Sequence, residues 1–355
     1  MCSRRCLPGE SLLVDPGVSC DALLVVSFGG PEGPADVMPF LENVTRGRGV
    51  PRQRLLEVAK NYESFGGVSP INAHNRALVA AVEAELERVG PPIPVYFGNR
   101  NWHPFLEDAV HEMAADGVGC ALAFATSAYS SYSGCRQYLE DIAAARAVVG
   151  VSAPRIDKLR AFWNHPGFIE PLVDHVTAAL ATVPAGARAS VRLVFTAHSL
   201  PVSMARQSDY EMQLRDACEL VVARLADPPP WELAFQSRSG PAAVPWLGPD
   251  ILDRLSQLAV DGVRHVVNLP IGFVTDHMEV VYDLDTRARQ HAEQLGVGFT
   301  RVATVGTDPR FVSMIRELIV ERTVPGTQRR ALGTLGPRPD TCAADCCPAP
   351  RRSPG

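Results

Sequence analysis

His198 stands in the run Thr196-Ala197-His198-Ser199-Leu200-Pro201, directly after an apolar stretch that reads as a strand over 191–196. A histidine just past a strand end sits at a cleft mouth, where an imidazole of pKa about 6.5 accepts a proton or binds a metal near neutrality. A second concentration of donors follows the apolar run 263–271, where Asp276, His277, Glu279, Asp283 and Asp285 crowd the start of the next segment. Glu279, Asp283 and Arg287 are spaced i, i+4, i+8 and line one helix face, with Glu279 nearest the strand. The plainer uses of these residues are a surface loop for His198 and a solvated face, closed by an Asp283–Arg287 pair, for the rest. One histidine and one carboxylate facing each other make an incomplete metal site: a structural zinc takes four ligands, and neither HExxH nor HxxEH spacing occurs. An underfilled oxygen–nitrogen set suits a metal held weakly and passed on. The same pair can accept protons from the metal's destination.

Other strand ends carry weaker signals. Gly29-Gly30-Pro31-Glu32-Gly33 lacks GxGxxG order, and the chain has no P-loop, so a nucleotide site is disfavoured. The glycines read instead as a turn that lets a flat ligand approach the backbone. Gly66-Gly67-Val68-Ser69-Pro70 enters a helix, and Ser69 with Arg46 and Arg48 suits an anionic group, although simple capping also explains the turn. Tyr129, Tyr132 and Tyr138, among Ser127, Ser130, Ser131 and Ser133, make a hydroxyl-rich region, with some of the rings expected in the core. Gln236-Ser237-Arg238-Ser239-Gly240 and Trp246 read as a packing corner or a wall for a flat aromatic ligand.

The elements that must hold these loops alternate. Strands are expected at 22–27, 94–98, 120–125 and 159–163, with helices at 72–88, 104–115 and 134–149. The order then restarts: helices at 166–181, 209–225, 249–258, 276–295 and 309–320 alternate with strands at 191–196, 231–236, 263–271 and 300–305. This is the pattern of an α/β chain with two Rossmann-like, doubly wound parallel sheets. Ligands of such sheets bind at the carboxyl ends of the strands, where the residues above fall. The expected division is a disordered N-terminal tail over 1–20, domains over 21–165 and 166–322, and an extended cysteine-containing tail over 323–355.

Composition limits the function. The chain has 355 residues, a net charge of −5 and 46% hydrophobic residues, which fits packed cores and excludes a basic nucleic-acid binder or a disordered chain. No apolar run spans a membrane, and nine cysteines in so long a chain do not form a secreted disulfide scaffold. A cytoplasmic, monomeric protein without stable membrane insertion or nucleic-acid partner is expected.

Six segments together give a resemblance: LLVVSFGGPEG (23–33), FGGVSPIN (65–72), PVYFGNRNW (94–102), TAHSLP (196–201), QSRSGP (236–241) and PIGFVTDHMEVVYDLD (270–285). The chain resembles ferrochelatases over almost all of 21–322. The resemblance implies a chelatase-like fold with a porphyrin cleft between the two domains. It implies insertion of Fe(II), as substrate, with release of two pyrrole protons. His198 and Glu279 match the metal-insertion pair, Asp283 the next acidic position along the helix, and Ser69 and Tyr138 positions that contact the porphyrin or its propionates. Details are similar to the high-GC Gram-positive form, which implies coproporphyrin III as substrate and coproheme as product. A downstream coproheme decarboxylase and an iron donor would then be partners. Protoporphyrin IX as substrate, another divalent metal, or a non-catalytic porphyrin or heme carrier are the alternatives. Some bacterial relatives place a tyrosine where this chain has Phe28, which has no ligand atom; Tyr62 is the alternative axial contact. The tail Cys342-x-x-x-Cys346-Cys347 is similar to that of members with a 2Fe–2S cluster. Four thiolates are needed, and Cys135, beside the hydroxyl-rich loop, is the expected fourth over Cys120 and Cys218.

Overall fold

The structure, a computed structural model, describes residues 19–240, 243–343 and 345–349. The expected N-terminal tail therefore lies almost wholly outside the described residues.

Eight strands form two four-stranded sheets, all parallel. In the first, β1 (Ala22–Ser27), β2 (Val95–Asn99), β3 (Cys120–Ala125) and β4 (Arg155–Lys158) lie in the order β2-β1-β3-β4. In the second, β5 (Val191–His198), β6 (Trp231–Gln236), β7 (His265–Leu269) and β8 (Gly298–Arg301) lie in the order β6-β5-β7-β8. The two halves repeat one topology. β1 and β3 are buried along their whole length, as strands covered by helices on both faces must be, and their sequences are accordingly continuous apolar runs. In each sheet the winding reverses between the first and third strands. A crevice opens there beyond the carboxyl ends, between β1 and β3 in one half and β5 and β7 in the other.

One core runs through both halves. It joins Leu23, Val25 and Phe124 of the first sheet to Leu193, Phe195 and Val267 of the second. Between them Phe162 stacks on Phe124 at 5.1 Å, and Phe311 meets Phe124, Phe162 and Phe168 at 5.9–6.2 Å. Polar stitches cross the same junction. Tyr129 Oη donates to the Ile271 carbonyl at 2.9 Å, and Gln213 exchanges hydrogen bonds with Ser130, accepting from its N–H at 2.7 Å and donating to its Oγ at 3.0 Å. The loop after β3 is thus fastened to the loop after β7, which fixes the two crevices relative to each other.

Some elements depart from expectation. The apolar run 159–163 is no strand: the edge strand is Arg155–Lys158, in register with Cys120–Ala123. Leu159, Phe162 and Trp163 are buried as the connector that carries the chain into the shared core. The last strand is Gly298–Arg301 rather than 300–305, and Val302 and Val305 beyond it are core residues. Helices Pro34–Val44 and Arg52–Glu63 fill a stretch left unassigned from the sequence. Beyond helix Pro309–Thr323 the described residues form no helix or strand and lie against the body.

Candidate active site

His198 is the last residue of β5, and Glu279 follows β7 at the start of a helical stretch over 278–294. Because β5 and β7 are neighbours flanking the second crevice, the two side chains meet. His198 Nε2 lies 3.4 Å from a Glu279 carboxylate oxygen, and the side chains keep 31% and 49% of their surface exposed. His198 Nδ1 is 2.6 Å from the Ser199 carbonyl, which accepts its proton and leaves Nε2 as the free lone pair of the neutral ring. Tyr210 Oη donates to the His198 carbonyl at 3.0 Å, and Gln236 Nε2 donates to the Glu279 carbonyl at 3.2 Å, so both backbones are held. His277 caps the helix, its Nδ1 accepting the Glu279 N–H at 3.2 Å.

The electrostatics follow from this contact. Burial draws the His198 imidazole down, but the Glu279 carboxylate and the Ser199 carbonyl outweigh it and hold the imidazole above its ordinary value. Burial pushes the Glu279 carboxyl up, but His198 and His277 outweigh it and bring it to about 2. Asp283, one turn on, is buried beside Glu279, and both effects raise its carboxyl. Ser237 Oγ donates to Asp283 at 2.5 Å, and Arg287 lies 3.4 Å from its other oxygen. Ser237 holds this position in the left-handed region, at φ 62°, a strain of the kind found at functional sites. Val281–Ala288 is wound as a π-helix, which resets the spacing of the acidic face beside Glu279. The Asp283–Arg287 pair and the Glu279–His198 pair therefore occur together, one behind the other.

The first half supplies an aromatic wall. Phe40 packs edge-on against Phe28, Tyr62 and Trp102 at 6.0–6.3 Å, and Met278, the residue before Glu279, is buried in the same cluster. Tyr62 is buried there, near enough to Glu279 that the carboxylate adds to burial in raising its phenol. Phe28 is partly exposed. Arg100, at the end of β2, stands 4.7 Å over the Tyr138 ring and 5.9 Å over Phe28. Arg100 is not among the residues expected from the sequence, although a charge immediately after a strand end is the same signal that points to His198.

The remaining expected residues are placed as follows. Tyr138 is buried against the outer face of the first sheet. Ser69 is 4% exposed and packs on Gly30, where an added Cβ would come within 2.7 Å of the Ser69 Cβ. An added Cβ at Gly29, which sits at φ 82°, would come within 2.8 Å of Asn99. These glycines thus allow the protein's own loops to close on one another, rather than a ligand to approach. Arg46 is exposed just after helix Pro34–Val44 and makes no ion pair among the described residues.

A separate group of thiols lies at the tail. Cys346 and Cys347 sulfurs are 3.6 Å apart. Hydrogen bonding to Cys346, together with burial, raises the Cys342 thiol, and hydrogen bonding from Cys346 lowers that of Cys347. Cys135, in the turn Tyr132–Arg136 after β3, is close enough to perturb Cys347. Cys120 and Cys218 are elsewhere: Cys120 contacts Cys20 at 3.0 Å, and Cys218 is buried in the core. Among the described residues no three His, Cys, Asp or Glu side chains gather tightly enough for one metal ion.

Comparisons with known proteins give the family and the fold. The ferrochelatase family model matches residues 20–323. A coproporphyrin III ferrochelatase of Frankia alni is 56% identical over 350 residues, covering 96% of this chain and 89% of that protein. One of Nocardia farcinica is 53% identical, covering 95% and 99%. Among solved structures, SirB from Bacillus subtilis with Fe3+ superposes with a TM-score of 0.52 at 13% identity, covering 84% of this chain and 95% of that one. That likeness extends to the fold. No helix among the described residues is long and apolar enough to cross a membrane.

Proposed function

The chain belongs to the ferrochelatase family, and from that premise we propose that it inserts Fe(II) into coproporphyrin III to give coproheme. The observation that carries the reaction is the His198–Glu279 contact at the crevice between β5 and β7. The names of the similar proteins support the choice of porphyrin. Insertion exchanges two pyrrole protons for one ferrous ion, so the site must receive protons as the metal leaves its own ligands. His198 Nε2 carries the lone pair for one of these tasks, and the ionised Glu279 beside it holds the resulting positive charge. Asp283, held by Ser237, lies next along the helix and offers an oxygen ligand to iron on its way to the pair. The aromatic wall of Phe28, Phe40 and Trp102 suits the macrocycle face, and a cleft that bends the ring exposes its pyrrole lone pairs. Of the four residues expected to contact the porphyrin, the exposed Arg46 would reach a propionate, and the buried Ser69, Tyr62 and Tyr138 would support the loops and wall that line the cleft.

We further infer that Cys135, Cys342, Cys346 and Cys347 hold a 2Fe–2S cluster, which is structural or sensory because insertion transfers no electrons. Action in the cytoplasm as a monomer, with an iron donor before it and a coproheme decarboxylase after it, completes the reading. The deciding experiment is anaerobic insertion of Fe2+ into coproporphyrin III and protoporphyrin IX, followed by Soret absorbance. Rapid conversion of coproporphyrin alone is expected. Preference for protoporphyrin would replace the substrate, and tight binding without metallation would make the chain a carrier.

A further inference from the structure

The chain beyond helix Pro309–Thr323 has no helix or strand among its described residues, yet it is fastened repeatedly to the body. The Leu332 N–H donates to the Asn164 carbonyl at 2.8 Å, and Asn164 Nδ2 donates to the Gly336 carbonyl at 2.8 Å. Arg160 grips Glu321 with two bonds of 2.7 and 2.9 Å and turns Nη2 to the Arg330 carbonyl at 2.9 Å. The Arg330 N–H returns to Glu321 at 3.2 Å, and its guanidinium reaches both Glu317 oxygens at 2.9 Å. Further along, Arg329 pairs with Asp340, and Arg338 pairs with Asp209 at 2.7 Å.

These anchors come from three places: the buried connector between the two sheets, the last helix, and the helix entry at Asp209. Arg160 and Glu321 are almost wholly buried, so their contact does not exchange with water, and separating them would strand a charge in the interior. The hydrogen bonds and ion pairs named above run between nitrogen and oxygen atoms, and the Arg338 guanidinium also lies near enough to the tail thiols to draw them down. Asp340, held by Arg329, is separated from Cys342 by the single residue Thr341. A tail free after the last helix would have to close a loop of about twenty residues to bring Cys342 to Cys135, with the entropy cost such closure carries. A docked tail has met that cost before any iron arrives.

We propose that residues 324–340 form a strap docked by Arg160, Asn164 and Arg338, and that this docking, rather than the cluster, brings Cys342, Cys346 and Cys347 to Cys135. Arg160 and Asn164 are positioning residues for the four-thiolate site. The inference rests on the cluster reading for what the thiols hold, while the docking rests on its own contacts.

Two measurements test it on the full chain. The first is hydrogen exchange, by mass spectrometry, of peptides covering 328–340 in a variant with Cys342→Ser, Cys346→Ser and Cys347→Ser. Protection within about threefold of the reconstituted wild type is expected. Unprotected exchange in the variant, with protection in the wild type, would mean that the cluster orders the tail and would overturn the proposal. The second is iron and acid-labile sulfide content after anaerobic reconstitution with ferrous iron and sulfide. Asn164→Ala, and separately the more exposed Arg330→Ala, which removes the ion pair to Glu317, are expected to speed exchange over 328–340 at least fivefold and to lower cluster content to below half. Wild-type content in both variants would overturn the positioning role. A wild type that takes up neither iron nor sulfide would sink the cluster reading instead, and the exchange measurement would still decide the strap.

Discussion

His198 Nε2 stands 3.4 Å from the Glu279 carboxylate because the strands that end beside them, β5 and β7, are neighbours on either side of a reversal in winding. With Nδ1–H committed to the Ser199 carbonyl, Nε2 faces the carboxylate, which accepts its proton when the ring is charged. In the proposed function the pair takes up a proton that insertion releases. His198→Ala should therefore lower kcat/KM for insertion by about 10²–10⁴-fold, the usual range for a general base. Porphyrin affinity, measured by Soret titration, should stay within about threefold. Normal turnover in this variant would remove His198 from the reaction.

The contact also sets a pH dependence. Burial alone would take the imidazole below its ordinary 6.5, and Glu279 with the Ser199 carbonyl carries it above. Insertion needs the neutral ring, so kcat/KM should rise with pH through a midpoint above 6.5. Glu279, at about 2, contributes no limb in that range. In Glu279→Gln the carboxylate is gone while the burial, the Ser199 carbonyl and Asp283 remain, so the midpoint should fall. An unmoved midpoint would show that another group titrates. Folding follows the same signs. The Glu279 contribution is present above 4.5 and lost as pH falls toward 2. The His198 contribution is present below 6.5 and lost as pH rises through its folded value. Stability from the pair should therefore peak between 4.5 and 6.5.

Gly272 holds the two strand ends together from behind. Its N–H donates to the Thr196 carbonyl at 3.1 Å, and an added Cβ would lie 2.7 Å from the Ala197 Cβ and 2.8 Å from its Cα. Gly272→Ala should push the loop after β7 away from β5 and widen the His198–Glu279 separation. Displacements of about 1 Å can cost 10²-fold, so a 10- to 100-fold loss of kcat/KM is expected, with little change in far-UV circular dichroism. Full activity in this variant would show that the pair does not depend on the spacing of the two strand ends.

Much of this frame is legible in the residue order. The central strands are mostly apolar and turn residues bound them, so β1, β3, β5 and β7 can be read directly. Histidine and glutamate at strand ends point to the crevice before any topology is known. The contact between them depends on which strands are neighbours, which local pattern does not encode. The run 159–163 reads as a strand because it is apolar, yet it is apolar as a buried connector. Helix Pro34–Val44 is obscured by an internal Pro39, and helix Arg52–Glu63 by its many charges. The π-winding of Val281–Ala288 and the left-handed Ser237 are tertiary outcomes: each holds Asp283 by contacts made across the fold. The glycines after β1 can be read as glycines that allow a close approach, but what approaches is Ser69 and Asn99, which only the folded loops reveal.

Phe311 tests how far the two sheets fold as one. Its ring is fully buried and touches Phe124 from the first sheet, Phe162 from the connector and Phe168 from the helix that opens the second half. Truncating such a residue leaves a cavity that the neighbours only partly fill, and Phe311→Ala should cost about 3–5 kcal/mol. With two independent cores, one transition would shift and the other would stay, giving two steps in a denaturant melt. The continuous core through Leu23, Phe124, Phe195 and Val267 predicts a single step displaced to lower denaturant, with tryptophan fluorescence and far-UV circular dichroism changing together. Trp163 and Trp231, in the connector and the second sheet, report that step by fluorescence, while the ellipticity reports both sheets. Separation of the two signals would show that the halves unfold independently despite the shared core.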